Sequence, residues 1–182
     1  MPKIYLIRHG RAAAGWGESD DPGLDSMGRE QAAKVSRTLQ ALNPMPIVSS
    51  PMKRARETAE PLAQAWERVP EIDPRFSEIP TPGHIPDNRK VWIKDILSKR
   101  WDALDTDLQD WRETLLTALC SLQQDSVVFT HFIAINAIAG KAIHDHRVLV
   151  FLPDNTSITT VKVAGSAITL LEKGTEMTTS VG

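Results

Sequence analysis

Short apolar runs alternate with longer amphipathic stretches along this chain, and no other feature restricts its fold as much. The runs at 3–7, 47–49 and 126–129 are short and end at loop or helix signals, as buried strands do. Between them, apolar residues recur at spacings of three and four, as over 104–122, which predicts amphipathic helices. Strands that alternate with helices favour an α/β fold. We expect a three-layer sandwich whose mostly parallel central sheet has helices on both faces.

The same reasoning assigns the remaining elements. We predict helices over 27–42, 51–66 and 132–143, a further helix around Trp92, Ile96 and Trp101, a strand over 148–152 and an antiparallel hairpin over 158–171. Prolines between residues 68 and 90 exclude a helix or a central strand there. The chain is therefore predicted to form one domain over 1–182, with a loop and a small helical insertion at about 68–113.

The composition limits the classes of partner that this chain is expected to bind. Lys and Arg number 21 against 23 Asp and Glu, a formal charge of −2, so no basic face for nucleic acid is indicated. No apolar run approaches the ~18 residues of a membrane helix, and the first residues lack a secretory pattern. We expect a cytoplasmic protein that binds neither nucleic acid nor membrane. The pattern predicts no particular oligomeric state.

Chemically capable residues follow three of the predicted strands. Arg8 and His9 end the first, the segment 49–54 contains Arg54, and His131 follows the third. Ligands of open α/β sheets bind at the carboxyl ends of strands, and guanidinium groups suit a phosphate dianion. A single histidine is more often a buried core residue, but two at matching strand ends favour a phosphoryl site. Spacing alone leaves open whether Arg54 or Arg56 faces it.

Four segments in this order resemble the histidine phosphatase, or phosphoglycerate-mutase-like, superfamily over nearly the whole chain. They are Leu6-Ile7-Arg8-His9-Gly10, Leu24-x-x-x-Gly28-x-x-Gln31-Ala32, Ser49-Ser50-Pro51-Met52-Lys53-Arg54-Ala55-x-x-Thr58-Ala59 and Thr130-His131. The resemblance implies that His9 is the nucleophile that becomes phosphohistidine. It also implies that Arg8, Arg54 and His131 bind the phosphate, which selects Arg54 over Arg56. Glu78 matches the family's proton donor, with Asp73 and Asp87 as alternatives.

The chemistry is consistent with these roles. An imidazole attacks phosphorus only through an unprotonated nitrogen, and neighbouring cations lower the pKa of a histidine. The same cations stabilise the charge of a loose phosphoryl transition state, so no metal and no cofactor is expected. A carboxylic acid can protonate the leaving oxygen and afterwards activate water.

The chain also departs from the commoner family pattern. Arg11 and three alanines follow Gly10 where Glu or Gln and Asn are frequent, and Phe132 follows His131 where glycine is frequent. Arg11 and His84 are candidate substrate contacts, although a surface position is the simpler interpretation of each. Asn155 and Ser157 are candidate supporting polar groups.

We therefore predict a metal-independent phosphomonoesterase that hydrolyses a small phosphorylated metabolite through phosphohistidine. A protein phosphohistidine phosphatase and a phosphoglycerate-type mutase share this chemistry and stay as alternatives. Mutases of this kind are generally longer, and phosphohistidine phosphatases often lack the insertion. A non-catalytic phosphate-binding module is the third possibility, but it would need neither a nucleophile nor an acid.

Overall fold

The computed structural model describes residues 1–15, 21–83 and 89–178. Its centre is a six-stranded sheet in the order β3-β2-β4-β1-β5-β6. The strands are β1 (Lys3–Arg8), β2 (Ile47–Ser49), β3 (Glu71–Ile72), β4 (Ser126–Thr130), β5 (Ile158–Ala164) and β6 (Ala167–Glu172). The first four pair in parallel, whereas β5 runs antiparallel to β1 and forms a hairpin with β6. The predicted mostly parallel sheet with an antiparallel edge is confirmed.

Five helices cover this sheet in the described part of the chain. They are α1 (Ser26–Leu39), α2 (Lys53–Ala65), α3 (Arg89–Leu97), α4 (Thr106–Ser121) and α5 (Phe132–Ala142). None of the described helices is both long and apolar enough to cross a membrane.

The hydrophobic core consists of two clusters, because the side chains of each strand alternate between the two faces of the sheet. On β1, the buried Ile4 and Leu6 belong to the cluster that packs with residues of α3, α4 and α5. Ile7 of the same strand belongs to the opposite cluster, with residues of α1 and α2. Successive side chains of a strand point to opposite faces, so both faces of the sheet must be covered. The predicted three-layer sandwich is confirmed.

The register of the sheet aligns the ends of its central strands. Arg8 on β1 pairs with Thr130 on β4, and Ser49 on β2 pairs with Phe129. The residues that follow these strands, His9, Ser50 and His131, therefore emerge at one edge of the sheet.

The predicted strand over 148–152 is wrong. The side-chain oxygen of Asn136, on α5, accepts hydrogen bonds from the backbone N–H groups of Val150 (2.8 Å) and Phe151 (3.1 Å). The Val148 N–H donates to the Lys99 carbonyl at 3.0 Å. These partners satisfy the backbone without a neighbouring strand, so an apolar segment that resembles a strand in sequence is an irregular connection.

The beginning of α2 also differs from the prediction. The helix predicted over 51–66 begins at Lys53, and its N-cap residue Met52 provides no side-chain hydrogen bond. The Ser50 hydroxyl instead contacts His131. Ser50 and Pro51 thus precede the helix.

The predicted insertion over 68–113 contains the short edge strand β3, a 3₁₀ turn at Pro74–Phe76, α3, a second 3₁₀ turn at Trp101–Ala103 and the start of α4. The Thr130 hydroxyl donates to the Phe76 carbonyl at 2.7 Å, which fastens the first turn to the end of β4. Trp101 stacks on Trp111 with ring centroids 6.1 Å apart. That the whole of 1–182 forms one domain stays a prediction.

Candidate active site

His9 and His131 face each other at the edge where β1 and β4 end. Their ring centroids are 5.2 Å apart with an interplanar angle of 57°, and both side chains are buried. Arg54, from the first turn of α2, reaches the same place and is only 6% exposed. The structure thus brings together three residues that lie far apart in the sequence.

The hydrogen bonds of His9 define which ring nitrogen is free to react. Nδ1 lies 2.7 Å from the Gly10 carbonyl, which can only accept, so Nδ1 carries the hydrogen. Nε2 then presents its lone pair, and the Arg54 Nε–H donates to it at 3.2 Å. Burial first, and then the charges of Arg8 and Arg54, lower the pKa of His9 well below its ordinary value. The imidazole is therefore neutral, with Nε2 directed at a guanidinium.

The backbone around His9 is held from three sides. The Asn155 side-chain amide donates to the His9 carbonyl at 2.9 Å. The Gly10 N–H donates to the Thr58 hydroxyl at 3.0 Å, and that hydroxyl donates to the Arg54 carbonyl at 2.6 Å. A Cβ on Gly10 would lie 2.6 Å from the Gly28 carbonyl oxygen, closer than real contacts allow. Only glycine fits where α1 approaches this loop.

His131 is oriented by Ser50. The Ser50 Oγ accepts from the Met52 N–H at 3.2 Å and lies 2.8 Å from His131 Nε2. Donation of the hydroxyl hydrogen to Nε2 puts the ring hydrogen on Nδ1, which is buried without a hydrogen-bond partner among the described residues. Burial first, then His9 and three arginines, lower the pKa of His131. The ring is a neutral donor held beside His9.

The Arg8 side chain is held in place by contacts with other segments of the chain. Its Nη1 donates to the Pro153 carbonyl at 2.8 Å and to the Met177 sulfur at 3.3 Å, and its guanidinium lies 5.0 Å from the centre of the Phe132 ring. Burial lowers the pKa of Arg8 to about 10, so it keeps its charge at neutral pH. Its Nε is buried without a hydrogen-bond partner in the described part of the chain.

Glu78 lies on the loop after the first 3₁₀ turn and is 7% exposed. Its carboxyl accepts from the Ile133 N–H at 3.1 Å and from its neighbour, the Ile79 N–H, at 3.0 Å. Burial raises the pKa of Glu78, although these two hydrogen bonds and the charges of Arg54 and Arg89 oppose the rise. A carboxyl with a raised pKa can hold a proton that it later gives away.

Asp73, one of the two alternative carboxyls, does not share this environment. Asp73 is bound by the Arg75 guanidinium, with Nη2 2.6 Å from Oδ2, and it caps the first 3₁₀ turn. Its pKa is lowered, chiefly by the side-chain hydrogen bond from Arg75. Asp87 lies outside the described residues. Of the described candidates, Glu78 is thus the one whose carboxyl has a raised pKa and whose charge acts on Arg8 and Arg54.

Three other candidates are placed as follows. Arg56 is exposed, whereas Arg54 is buried in the site. The Arg11 guanidinium pairs with Asp25, the N-cap residue of α1, and half of its side chain is exposed. His84 lies outside the described residues.

Sequence reasoning missed one charged residue beside the site. Arg89, the first residue of α3, acts electrostatically on Glu78, Arg54 and His131, and its Nε is buried without a hydrogen-bond partner in the described ranges. No spacing signal marks it, because it follows a proline-rich segment without periodicity. The positioning role of Ser50 was missed for another reason: Ser-Pro is also a common helix start.

Three buried donors that have no hydrogen-bond partner among the described residues indicate what this site binds. Arg8 Nε, His131 Nδ1 and Arg89 Nε all lie by the two histidines or Glu78, and buried polar groups of native proteins are almost always paired. An anion with several acceptor oxygens would pair them. The arrangement can therefore bind a phosphoryl group against His9 Nε2, with Glu78 nearby as an acid.

Comparison with known proteins agrees with the geometry. The model of the histidine phosphatase superfamily (branch 1) matches residues 4–175. A probable phosphoglycerate mutase GpmB of Escherichia fergusonii is 32% identical over 123 residues, which cover 64% of this chain and 50% of that protein, and the Citrobacter koseri protein of the same name is 32% identical over 124 residues. This chain spans about half the length of these curated relatives.

Among solved structures, phosphoserine phosphatase of Entamoeba histolytica superposes with a TM-score of 0.74 at 22% identity, covering 97% of this chain and 98% of that one. A putative alpha-ribazole-5'-P phosphatase of Escherichia coli gives 0.76 at 17% identity, covering 96% and 98%. These likenesses show a common fold. The match of the family model over residues 4–175 shows that the chain belongs to branch 1 of the histidine phosphatase superfamily.

Proposed function

We propose that this protein is a metal-independent phosphomonoesterase that hydrolyses a small phosphorylated metabolite through a phosphohistidine at His9. The observation that carries the proposal is the unprotonated Nε2 of His9, which faces the Arg54 guanidinium at 3.2 Å. A site that only bound phosphate would need positively charged side chains but no unprotonated imidazole nitrogen beside them. Nucleophilic catalysis needs both.

In the first half-reaction, Arg8, Arg54 and His131 Nδ1–H hold the phosphoryl oxygens. The phosphoryl group replaces the Arg54 hydrogen bond to His9 Nε2, which attacks phosphorus in line with the ester oxygen. The P–O bond breaks as the N–P bond forms, and Glu78 gives its proton to the departing alkoxide. The guanidinium charges stabilise the charge on the equatorial oxygens of the transition state.

In the second half-reaction, the Glu78 carboxylate accepts a proton from water as the water oxygen attacks phosphorus. The N–P bond breaks, inorganic phosphate forms and the His9 lone pair is restored, with the proton back on Glu78. The hydrogen bond from Nδ1 to Gly10 holds the ring in one orientation through both steps. Arginine supplies the positive charge that a metal would otherwise supply, which supports a metal-independent reaction.

The names of structural neighbours support a small substrate. They include phosphatases named for phosphoserine and for glucosyl-3-phosphoglycerate. A phosphoglycerate-type mutase is the second candidate, because the curated relatives at about one-third identity are named probable phosphoglycerate mutases. In a mutase, the phosphohistidine would pass its phosphoryl group to a second hydroxyl in preference to water.

The test is hydrolysis of p-nitrophenyl phosphate in the presence of EDTA. We expect activity with EDTA, and a loss of at least ~10³-fold on His9→Ala, since that change removes a covalent nucleophile. Quenching with a ³²P-labelled substrate should trap an acid-labile phosphoenzyme in the wild type and none in the variant. Full activity of His9→Ala, or strict metal dependence, would reject the mechanism. Phosphate migration that requires added bisphosphoglycerate would select the mutase.

A further inference from the structure

The turn directly before β5 contacts the two residues at the end of β1. The Thr156 N–H donates to the Arg8 carbonyl at 3.0 Å, and the Ser157 carbonyl accepts from the Arg8 N–H at 3.3 Å. The Asn155 side-chain amide donates to the His9 carbonyl at 2.9 Å. Backbone groups of the turn therefore hold the backbone of Arg8, whereas its bond to His9 depends on one side chain.

The backbone of this turn, which spans residues 154–157, is strained. Thr156, its third residue, has a φ of 57°, in the left-handed region. Turns with a positive φ at this position usually have glycine there, and a β-branched residue is a rare occupant. The Ser157 N–H donates to the Asp154 carbonyl at 3.1 Å, and the Asp154 N–H donates to the Thr175 carbonyl at 2.9 Å. Strained backbone persists only where surrounding contacts fix it, and it is frequent beside functional sites.

The bond from Asn155 acts on a single peptide unit. The His9 carbonyl and the Gly10 N–H belong to the same planar unit of the backbone. Asn155 donates to its carbonyl end, and the hydroxyl of Thr58, on α2, accepts from its N–H end at 3.0 Å. Side chains from two separate parts of the fold therefore hold this unit at both ends.

The direction of the imidazole depends on that peptide unit. His9 Nδ1 lies 2.7 Å from the carbonyl of Gly10, which is on the next unit along the chain, so the ring is coupled to the backbone between the two. Gly10 has no Cβ, and its backbone resists rotation less than that of other residues. Without the amide of Asn155, Thr58 would hold the unit at the N–H end only, and Nε2 would lose its fixed direction.

We propose that Asn155 is a positioning residue whose amide fixes the peptide unit between His9 and Gly10 and thereby directs Nε2 at phosphorus. This inference rests on the proposed phosphatase function and adds a residue to its mechanism. Asn155 acts through the His9 carbonyl and not on the substrate. In-line attack requires a precise approach of the nucleophile, and a displacement of about 1 Å can cost about 10²-fold in rate.

The test compares the kcat of Asn155→Ala with its affinity for inorganic phosphate. We expect kcat to fall about 10- to 100-fold, by the same factor for p-nitrophenyl phosphate and for an alkyl phosphate, because the nucleophile is displaced and the acid is not. The Kd of inorganic phosphate, measured by calorimetry, should change less than threefold, since Arg8, Arg54 and His131 remain. A loss of phosphate affinity as large as the loss of kcat would overturn the inference, because the whole pocket would then depend on Asn155.

Three further variants separate the amide from the turn that carries it. Asn155→Asp keeps the size of the side chain and replaces the N–H donor with an oxygen, so kcat should fall at least as far as in Asn155→Ala. Thr156→Gly keeps the amide and relieves the positive φ, and Thr175→Ala changes an exposed side chain beside the turn. Both should retain kcat within threefold. Full activity of Asn155→Asp, or a tenfold loss in Thr156→Gly, would contradict a role for the amide itself.

Solvent exchange of the hydrogen on His9 Nδ1 separates this inference from the proposed function, since it needs no turnover. NMR should show this exchange about tenfold faster in Asn155→Ala than in the wild type, as expected when a hydrogen bond of ordinary strength is weakened. If the wild type hydrolyses no ester but this difference is present, the phosphatase proposal fails and the positioning of the ring by Asn155 stands. If hydrolysis occurs and Asn155→Ala retains the wild-type kcat, the positioning role fails alone.

Discussion

His9 and Glu78 are equally buried, at 6% and 7% exposure, yet different parts of the fold hold them. His9 follows the central strand β1, and its neighbours come from β4, α2 and the loop before β5. Glu78 and Arg89 belong to the insertion, on a loop and at the start of a helix beside residues 84–88. The half that would transfer the phosphoryl group is thus built on strand ends.

The half that would contact the leaving group is built on loops. The Ile133 N–H of α5 fastens it to that helix, and the bond from the Thr130 hydroxyl to the Phe76 carbonyl fastens it to the end of β4. Loops tolerate change more readily than sheet centres do. The two halves of the site therefore belong to different parts of the fold. Substitutions on the phosphoryl-transfer side should lower activity towards every ester, whereas substitutions on the leaving-group side should lower it mainly towards esters with poor leaving groups.

The largest difference is expected from Glu78→Gln. An alkyl phosphate should lose about 10² to 10⁴-fold in kcat, the usual contribution of a positioned acid, because an alkoxide departs poorly without a proton. With p-nitrophenyl phosphate, a good leaving group, the loss should be much smaller. Steady-state assays of both esters measure this, with the exposed Glu71→Gln as control. Equal losses on the two esters would place the acid elsewhere.

Gly10→Ala tests the phosphoryl-transfer side, and the resulting loss of kcat should be the same for every ester. Its Cβ would meet the Gly28 backbone at 2.6 Å, so the loop that carries His9 must move. We expect about 1–3 kcal/mol of destabilisation by urea unfolding, as for other overpacking changes. Gly83→Ala is the control, because no atom of the described residues lies within 4 Å of a Cβ there. A variant that lost only alkyl-ester activity would contradict the division into two sides.

Stability should depend on pH through the two histidines. Burial is the main cause that lowers the pKa of His9 and of His131 below 6.5 in the folded protein. Below about pH 6.5 the unfolded chain binds protons that the folded chain does not, so the free energy of unfolding falls as pH falls towards the folded pKa values. The limiting slope is about 1.4 kcal/mol per pH unit for each histidine.

Urea unfolding between pH 7.5 and 5 measures this slope, and His131→Asn should make it shallower. The raised pKa of Glu78 acts with the opposite sign, since its contribution is lost as pH rises through its folded pKa. Comparison of each variant with the wild type isolates the histidine. His146→Asn, at an exposed position, is the control. An unchanged slope in His131→Asn would show that this ring is not held neutral.

The smallest effect is expected from Arg11→Ala. Its guanidinium pairs with Asp25 on the surface, and exposed ion pairs contribute about 0–1 kcal/mol. We expect kcat/KM for p-nitrophenyl phosphate and for an alkyl phosphate to change less than threefold in steady-state assays. A loss of tenfold or more would identify the loop after Gly10 as a substrate contact.

Much of the site could be predicted because the motifs lie at strand ends. Arg8, His9 and His131 were placed at one sheet edge from the alternation of strands and helices alone, and the resemblance selected Arg54 and Glu78. The strand over 148–152 was wrong, since the side chain of Asn136 takes the place of a neighbouring strand. Arg89 was missed because no periodicity marks a residue that approaches the site from an irregular loop.

By itself the sequence determined the layer architecture, because hydrophobic periodicity records which faces are buried. It also determined which chemical groups stand at the strand ends. Only the tertiary structure decided which nitrogen of His9 carries a lone pair, that Ser50 serves His131 instead of a helix, and that Arg89 neighbours Glu78. These depend on distances and burial between segments far apart in the chain, and local sequence patterns contain no record of them.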